Sequence, residues 1–385
     1  MWRKNTANVG DTEVKIAIMT FWWSNDNYGQ LLQCYALQQY LRDAGHDAYL
    51  IRYNFTSDLK TPIGIKLLKA LNPVLLYKYI NHLFHLEKVK KEQACNNRHF
   101  DDFRKKYIQQ SEVLYTTYNQ LKDNPPQADC YIVGSDQVWN FSWISKVKNL
   151  PVIHAYMLDF GSESTKRMSY AASWSMSSLS SKLIDEIKPL LQKFSYVSVR
   201  EENGIELCRQ CGYESAELVC DPTFLLEANT YRKLYQSENV QKQEQKYLLL
   251  YMLNNQCDFD IQKVYDFAAE RKLQVVYVTG NGILDKREKY FATIPQWLSF
   301  VDNAEYVVTN SFHCCVFSTL FGKKFGVVKL SGKCSGMNTR MESLFNQLEI
   351  EPRWLQEDFS VLDKDYKPQP VKKSQRFLEL LNAAN

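Results

Sequence analysis

Short apolar, β-branched runs recur along this chain, each separated from the next by a stretch with helical spacing, and neither an all-helical nor an antiparallel fold accommodates that alternation. "VKIAIMTF" (Val14 to Phe21) leads through a polar loop into "GQLLQCYALQQYLRDAG", whose apolar residues keep helical intervals up to Gly45, and "DAYLIRY" resumes strand character. "DCYIVG", "RMSYAAS", "YVSVR" and "ELVCD" continue the series, and "KYLLLYML", "LQVVYVTG", "AEYVVTN" and "KFGVVKL" form a second one. Near-continuous apolar strands between helices imply parallel sheets covered on both faces. The expected fold class is α/β. A chain of 385 residues is long for one core, so two Rossmann-like domains are expected. The polar segment "YRKLYQSENVQKQEQK" (231–246) reads as their boundary, giving a first domain over 1–230 and a second over 231–385.

Composition excludes several classes. A net charge of +4, from 47 basic and 43 acidic residues, is too balanced for a nucleic-acid binder with a strongly basic face. The start, "MWRKNTANVGDTEVK", lacks the apolar core of a secretory signal, and no apolar run is long enough to span a bilayer, so a cytoplasmic protein is expected. Ten scattered cysteines then read as reduced thiols, with Cys314 and Cys315 packed inside a helix. Cys208 and Cys211 form a lone CxxC without a second pair, and no residue cluster of metal-binding type appears, so no metal site is expected.

The segment 60–106 differs from the rest: 11 basic residues stand against four acidic ones, and "IGIKLLKALNPVLLYKYINHLF" lies within it. It reads either as a basic amphipathic helix suited to an anionic membrane surface or as helices packed on the first domain with their lysines in solvent.

In open parallel sheets, ligands bind where strand carboxyl ends run into helices, so the chemistry is sought in those loops. In "VVTNSFHCCVFSTLFG" (Val307 to Gly322), Asn310 and Ser311 are positioned to cap a helix beginning near Phe312, and His313 stands in its first turn. An imidazole there can donate hydrogen bonds to an anion or transfer a proton, or it can be a structural residue. The first loop, "WWSNDNYGQ", offers Asp26, Asn27, a turn at Gly29 and the amide of Gln30. "GSDQVWN" combines Asp136, Gln137 and Trp139, a carboxylate, an amide and an aromatic face that suit sugar hydroxyls and ring C–H groups; a capped turn over a buried tryptophan has the same composition. Arg200 ends a strand before two acids, either as an ion-paired structural residue or as a clamp for a phosphate or carboxylate. Neither GxGxxG nor GxxxxGK[ST] is present.

Taken together and in order, "NYGQLLQCYALQQYLRDAGHDAYLIRY", "ADCYIVGSDQVWN", "KRMSYAASW", "SYVSVREENGIELCRQCGY", "LVCDPTFLL", "TNSFHCCVFSTLFGKKFGVV" and "NTRMESLFNQL" resemble the polysaccharide pyruvyl transferase family. The resemblance runs from about Val14 to Ile350, apart from the basic insertion. It implies a glycosyltransferase-B-like architecture with an interdomain cleft, and a terminal helix, "SQRFLELLNAAN", that returns to the first domain. It implies transfer of the pyruvyl group of phosphoenolpyruvate, a co-substrate and not a bound cofactor, onto two hydroxyls of a sugar with release of phosphate. Galactose as a 4,6-ketal is the expected acceptor, carried on a polyprenyl-diphosphate-linked oligosaccharide for capsule or other surface polysaccharide, which would place the protein at the inner face of the cytoplasmic membrane.

By this resemblance His313 and Arg200 become donor-site residues, with His313 the acid or phosphate ligand. Asn27, Gly29, Ser311 and Arg340 join them on the donor side, and Gln30, Asp136, Gln137 and Trp139 on the acceptor side. Two departures matter. Many relatives have arginine where this chain has Ser311, so Arg340, Lys323 or Lys324 is expected to supply the missing cation. Many also have aspartate where this chain has Gln30, which leaves Asp26 or Asp136 as the second proton-transfer group. The same sequence also admits a nucleotide-sugar glycosyltransferase of this architecture, or a catalytically silent glycan-binding protein.

Overall fold

The computed structural model describes residues 13–58, 73–142, 150–280, 283–355 and 357–383. Part of the basic insertion, 60–72, lies outside the described residues, as does 1–12.

The first lobe is built on strands β1 (Lys15–Met19), β2 (Asp47–Tyr53), β3 (Gln110–Tyr115), β4 (Cys130–Val133) and β5 (Lys166–Ser169), in the order β3-β2-β1-β4-β5. All the pairs are parallel. Two further short strands, β6 (Ser198–Val199) and β7 (Glu217–Leu218), extend the sheet through bridges from Met168 to Tyr196 and from Ala172 to Val199. The alternation of side chains across a strand explains why β1 is apolar throughout. Ile16 and Ile18 join one core with Leu37, while Ala17 and Met19 join another with Tyr49 and Tyr131 on the opposite face.

The second lobe repeats the plan with β8 (Tyr247–Met252), β9 (Gln274–Thr279), β10 (Tyr306–Thr309) and β11 (Lys324–Val327), ordered β11-β10-β8-β9 and parallel. In β8, Leu248 and Leu250 face one core and Leu249 and Tyr251 the other. The fold class is thus α/β, with two Rossmann-like units.

One helix ties the lobes together. Helix α1 (Tyr28–Asp43), capped by Asn27, covers the first sheet, yet its Tyr28 stacks on Trp297 of the second lobe with ring centroids 5.0 Å apart. The Tyr28 hydroxyl donates to the Ala292 carbonyl at 2.8 Å. The segment 231–246, read from the sequence as a polar boundary poor in core residues, begins inside helix Ala228–Ser237. Its Tyr231, Leu234 and Tyr235 are buried against the second lobe's core, because their i, i+3, i+4 spacing presents one apolar face. Helix Gln375–Asn382 places Phe377 and Leu381 beside Ile16, Ile18 and Leu37 under the first sheet.

Between β2 and β3 stands the 23-residue helix Pro73–Cys95. Val74, Leu76, Tyr77, Tyr79, Ile80, Leu83, Phe84 and Leu86 of this helix are all exposed, Tyr77 to 67% and Phe84 to 60%. Its foot is fixed more firmly. Arg98 donates to the Thr279 carbonyl at 2.9 Å, and Arg104 donates to the Trp22 and Ser24 carbonyls of the first loop at 3.2 and 2.7 Å. Among the described residues, no helix is long and apolar enough to cross a membrane.

Candidate active site

The carboxyl ends of the two sheets face each other, and the loops leaving them meet around one buried carboxylate, Asp221, just past β7. Its Oδ2 accepts from Arg200 Nη1 at 2.7 Å and from Ser135 Oγ at 3.1 Å, and His313 Nε2 lies 3.4 Å away in ion-pair contact. Its Oδ1 accepts from the Thr223 backbone N–H and hydroxyl, the local cap that an aspartate directly before Pro222 provides. Burial alone would raise this carboxyl's pKa, but the charge and contact of His313, then Arg200 and Thr223, hold it well below the usual carboxylate range. The sequence reading missed Asp221 as a site residue, although it stands in the quoted segment "LVCDPTFLL".

His313 belongs to helix Phe312–Leu320, which follows β10 and is capped by Ser311, whose hydroxyl accepts from the Cys314 N–H at 3.5 Å. Asn310, expected as a co-cap, instead accepts from Leu253 N–H and donates to the Asn254 carbonyl, tying the loop after β8 in place. Cys314 and Cys315 are buried in this helix, and burial pushes the Cys314 thiol up to about 12. The imidazole lies against Gly29 in the first turn of α1, where a Cβ would come within 2.1 Å of His313 Cγ. Gly29 is required by this contact.

Two arginines share the aromatic face beside the histidine. Arg200 Cζ lies 4.4 Å and Arg340 Cζ 5.9 Å from the Phe312 ring centroid. Arg200 is 2% exposed and Arg340 7%, and the buried atoms Arg200 Nε, Arg200 Nη2 and Arg340 Nε have no hydrogen-bond partner among the described residues. Burial, then the neighbouring Arg200, lowers the Arg340 pKa to about 10, so it remains charged at neutral pH; Glu201, Asp136 and Asp221 act in the opposite sense. Of the three cations expected to replace one absent at Ser311, Arg340 is the one the structure brings beside Phe312 and His313. Lys323 is turned away, donating to the Asp302 carbonyl at 2.9 Å, and Lys324 sits at the amino end of β11, opposite the site.

The remaining predicted residues divide. Asn27 caps α1 by accepting from the Gln30 N–H at 3.3 Å. Gln30 is buried, accepts from the Ser24 N–H at 2.8 Å and reaches Asp136 Oδ2 at 3.5 Å. Asp136 is held at φ +73°, a left-handed conformation, and accepts from the Gln137 N–H at 2.9 Å. Asp26 accepts from the Ser24 hydroxyl at 2.7 Å, and its charge is felt by Tyr28 and Tyr251. Gln137 accepts from Asn140 at 3.0 Å. Trp139 does not belong to an acceptor surface. It is fully buried, donates to the Tyr156 carbonyl at 3.1 Å and packs on Trp174 at 5.0 Å, so its ring is core. Cys208 and Cys211 are buried in that same core, and burial pushes their thiols up to about 12 and about 11.

The lobes leave a cleft of about 570 Å³ alongside helix Asn338–Gln347. Ser175 to Ser178, Glu202 and Asn203 line its first-lobe wall, and Gly336, Thr339, Glu342, Ser343 and Asn346 its second-lobe wall. The second wall is largely helix Asn338–Gln347, which is tied across by the Glu202 N–H donating to Ser343 Oγ at 3.3 Å and by Gln347 donating to the Arg200 carbonyl at 2.9 Å.

No curated protein matches this chain. Similar solved structures include UDP-GlcNAc 2-epimerase from Neisseria meningitidis bound to UDP-GlcNAc (TM-score 0.43, 7% identity, 95% of this chain and 91% of that one). They include UDP-GlcNAc 2-epimerase from Methanocaldococcus jannaschii (0.47, 11%, 95% and 99%) and an alpha-glucosyltransferase in complex with UDP and mismatched DNA (0.48, 10%, 91% and 90%). The model of one protein family, polysaccharide pyruvyl transferase, matches residues 27–331, from the cap of α1 to just short of the helix that brings in Arg340. With Gly29, Arg200, Asp221 and His313 all inside that span, the chain belongs to the polysaccharide pyruvyl transferase family.

Proposed function

We propose that this protein transfers the pyruvyl group of phosphoenolpyruvate to two hydroxyls of a glycan, releasing phosphate and leaving a cyclic ketal. The observation that supports this most is the pair of buried arginines, Arg200 and Arg340, with unpartnered N–H groups beside His313. Buried donors without partners are costly, and a small dianion carrying both a phosphate and a carboxylate satisfies them with charge-assisted bonds.

In this reading Arg200 and Arg340 bind and orient the donor, with Phe312 as the floor beneath both guanidinium groups. His313 delivers a proton to the methylene carbon, which makes the adjacent carbon electrophilic. Asp221 holds Arg200 in place and balances the imidazolium form. Gly29 leaves room for the ring in that position. No step calls for a metal ion or a bound cofactor.

The acceptor we favour is a galactose unit taking a 4,6-ketal, within a polyprenyl-diphosphate-linked oligosaccharide at the inner face of the cytoplasmic membrane. Support for the membrane side is the set of exposed apolar residues on helix Pro73–Cys95, in a segment of 11 basic and four acidic residues that is footed on the first site loop through Arg104. The deciding experiment offers labelled phosphoenolpyruvate or a labelled nucleotide sugar with a panel of galactosides. Phosphate release with a ketal on the sugar, detected by mass spectrometry, supports the reading. Glycosyl transfer from the nucleotide sugar, or sugar binding with no phosphate released, overturns it.

A further inference from the structure

The loop that brings the first lobe to the site has little structure of its own. Between β1 and the Asn27 cap of α1, residues 21–26 belong to no helix or strand, and no backbone–backbone hydrogen bond among the described residues ties them down. Side chains hold this loop instead, and Ser24 is their hub. Its N–H donates to Gln30 Oε1 at 2.8 Å, its hydroxyl donates to Asp26 Oδ1 at 2.7 Å, and the same oxygen accepts from the Asn27 N–H at 2.9 Å. Where Ser24 stands therefore decides how the Gln30 amide and the Asp26 carboxylate are aimed, and Gln30 in turn reaches Asp136 Oδ2 at 3.5 Å.

Ser24 is itself held from outside the sheet, by Arg104 of helix Phe100–Tyr107 at the foot of the insertion. Arg104 is 5% exposed and directs its donors at one stretch of chain: Nη1 at the Ser24 and Trp22 carbonyls, at 2.7 and 3.2 Å, and Nη2 at Asn25 Oδ1, at 2.6 Å. Asp101 fixes the fork from behind, accepting from Nε at 3.1 Å and from Nη2 at 2.6 Å. Burying a guanidinium is costly, and apart from Asp101 these acceptors all lie on the loop, so the loop is what the burial serves. A planar group with donors at fixed angles sets several acceptors in one arrangement, which a flexible ammonium does not. The foot has firm ground on both lobes. Arg98 donates to the Thr279 carbonyl at 2.9 Å, and the Phe100 ring lies 5.0 Å from that of Tyr28, the residue before Gly29.

We propose that Arg104 is a positioning residue for the transfer reaction: from the foot of the insertion it sets Ser24, and through Ser24 the side chains of Gln30 and Asp26, without itself touching substrate. The effect on turnover rests on the pyruvyl-transfer reading; the hold on the loop does not.

Arg104→Ala is the test, read well below the variant's melting temperature with and without millimolar guanidinium. Three quantities are followed: phosphate release in the presence of a galactoside, phosphoenolpyruvate affinity by calorimetry, and hydrogen exchange of the peptide spanning residues 20–30. Displaced site groups should lower kcat about tenfold or more. Donor affinity should stay at the wild-type value, because Arg200 and Arg340 are untouched, and the peptide should exchange faster. Guanidinium, which fits the vacated space, should restore both kcat and protection, whereas methylammonium at the same ionic strength should restore neither. A residue that only stabilises the fold would lower the melting temperature and leave these readouts flat. A kcat that stays at wild type, or one that falls and is not restored by guanidinium, overturns the proposal. Should the alanine variant misfold, Arg104→Lys keeps the charge and loses the fork: reduced kcat with donor affinity kept supports the role, and wild-type turnover overturns it. Wild-type protein that releases no phosphate from phosphoenolpyruvate removes the pyruvyl-transfer reading and the effect on turnover with it. Hydrogen exchange then decides the hold on the loop, which unchanged exchange over 20–30 overturns.

Discussion

The imidazole of His313 rests on the bare Cα of Gly29, a contact between the first turns of two helices from different lobes, with no room for even a methyl group. Replacing Gly29 by alanine therefore moves the histidine and leaves the helix intact, since alanine is the better helix former. Misplacing a catalytic group by about 1 Å costs on the order of a hundredfold in rate. Gly29→Ala should lose about that much turnover while its circular dichroism stays native; turnover close to wild type would separate Gly29 from the positioning of His313.

The two arginines carry distinct predictions from the histidine. His313→Ala should reduce turnover at least about a hundredfold with donor affinity largely kept. Arg200→Lys and Arg340→Lys should each weaken phosphoenolpyruvate binding, because a point charge cannot reproduce the planar fork. Titration calorimetry on the variants is the check, and an unchanged donor affinity in both lysine variants would dismantle the clamp.

Asp221 links the site to stability. Its pKa in the folded protein lies below the unfolded value of about 3.9, so its contribution is present in full above that pH and is lost as the pH falls below it. Removing one partner of a buried ion pair costs about 3–5 kcal/mol. Asp221→Asn should therefore melt well below wild type at pH 7, with the difference narrowing toward pH 3. Parallel melting curves across that range would show that the carboxylate is not held in its charged form by Arg200 and His313.

Helix Pro73–Cys95 predicts binding to vesicles rich in phosphatidylglycerol. Each basic residue near an anionic surface contributes about 1 kcal/mol. Lys88→Glu with Lys90→Glu should lower vesicle partition more than tenfold, and Leu83→Asp with Phe84→Asp should abolish it through the apolar face. Binding should also fall as salt rises. Co-sedimentation is the measurement, and wild-type protein that stays in the supernatant at low salt refutes the membrane contact.

Trp139 provides a control outside the chemistry. Trp139→Ala should destabilise the fold by about 3–5 kcal/mol through loss of its packing on Trp174. Trp139→Phe should keep sugar binding near wild type, which calorimetry against methyl galactoside would read.

Much of the fold was legible because parallel strands are apolar on both faces, so β1 and β8 announce themselves as runs of buried residues. Strand β3 escaped notice since it lies at a sheet edge, where Gln110, Ser111 and Glu112 remain partly in water. The helix over Ala228–Ser237 was obscured by its polar face, although Tyr231, Leu234 and Tyr235 already marked the spacing. In the site, His313, Arg200 and Arg340 were named from position and resemblance, and the structure brings the three around Phe312. Asp221 was not named, because its place depends on packing: it accepts from Arg200 and meets His313, residues of two different elements. Trp139 shows the converse. Its composition suits a sugar, and only packing reveals that no sugar reaches it.

The chain passes between its lobes at two places that lie side by side. It leaves the first lobe near Asp221, and it comes back near Lys372, whose carbonyl accepts from the Cys220 N–H at 3.3 Å, while Lys373 donates to the Leu225 carbonyl at 3.1 Å. Two strands of linkage sewn together along one seam permit a swing but resist pulling apart. Loading and release of a bulky glycan would then proceed like the opening of a book along its spine, with Asp221, at the spine itself, moving least.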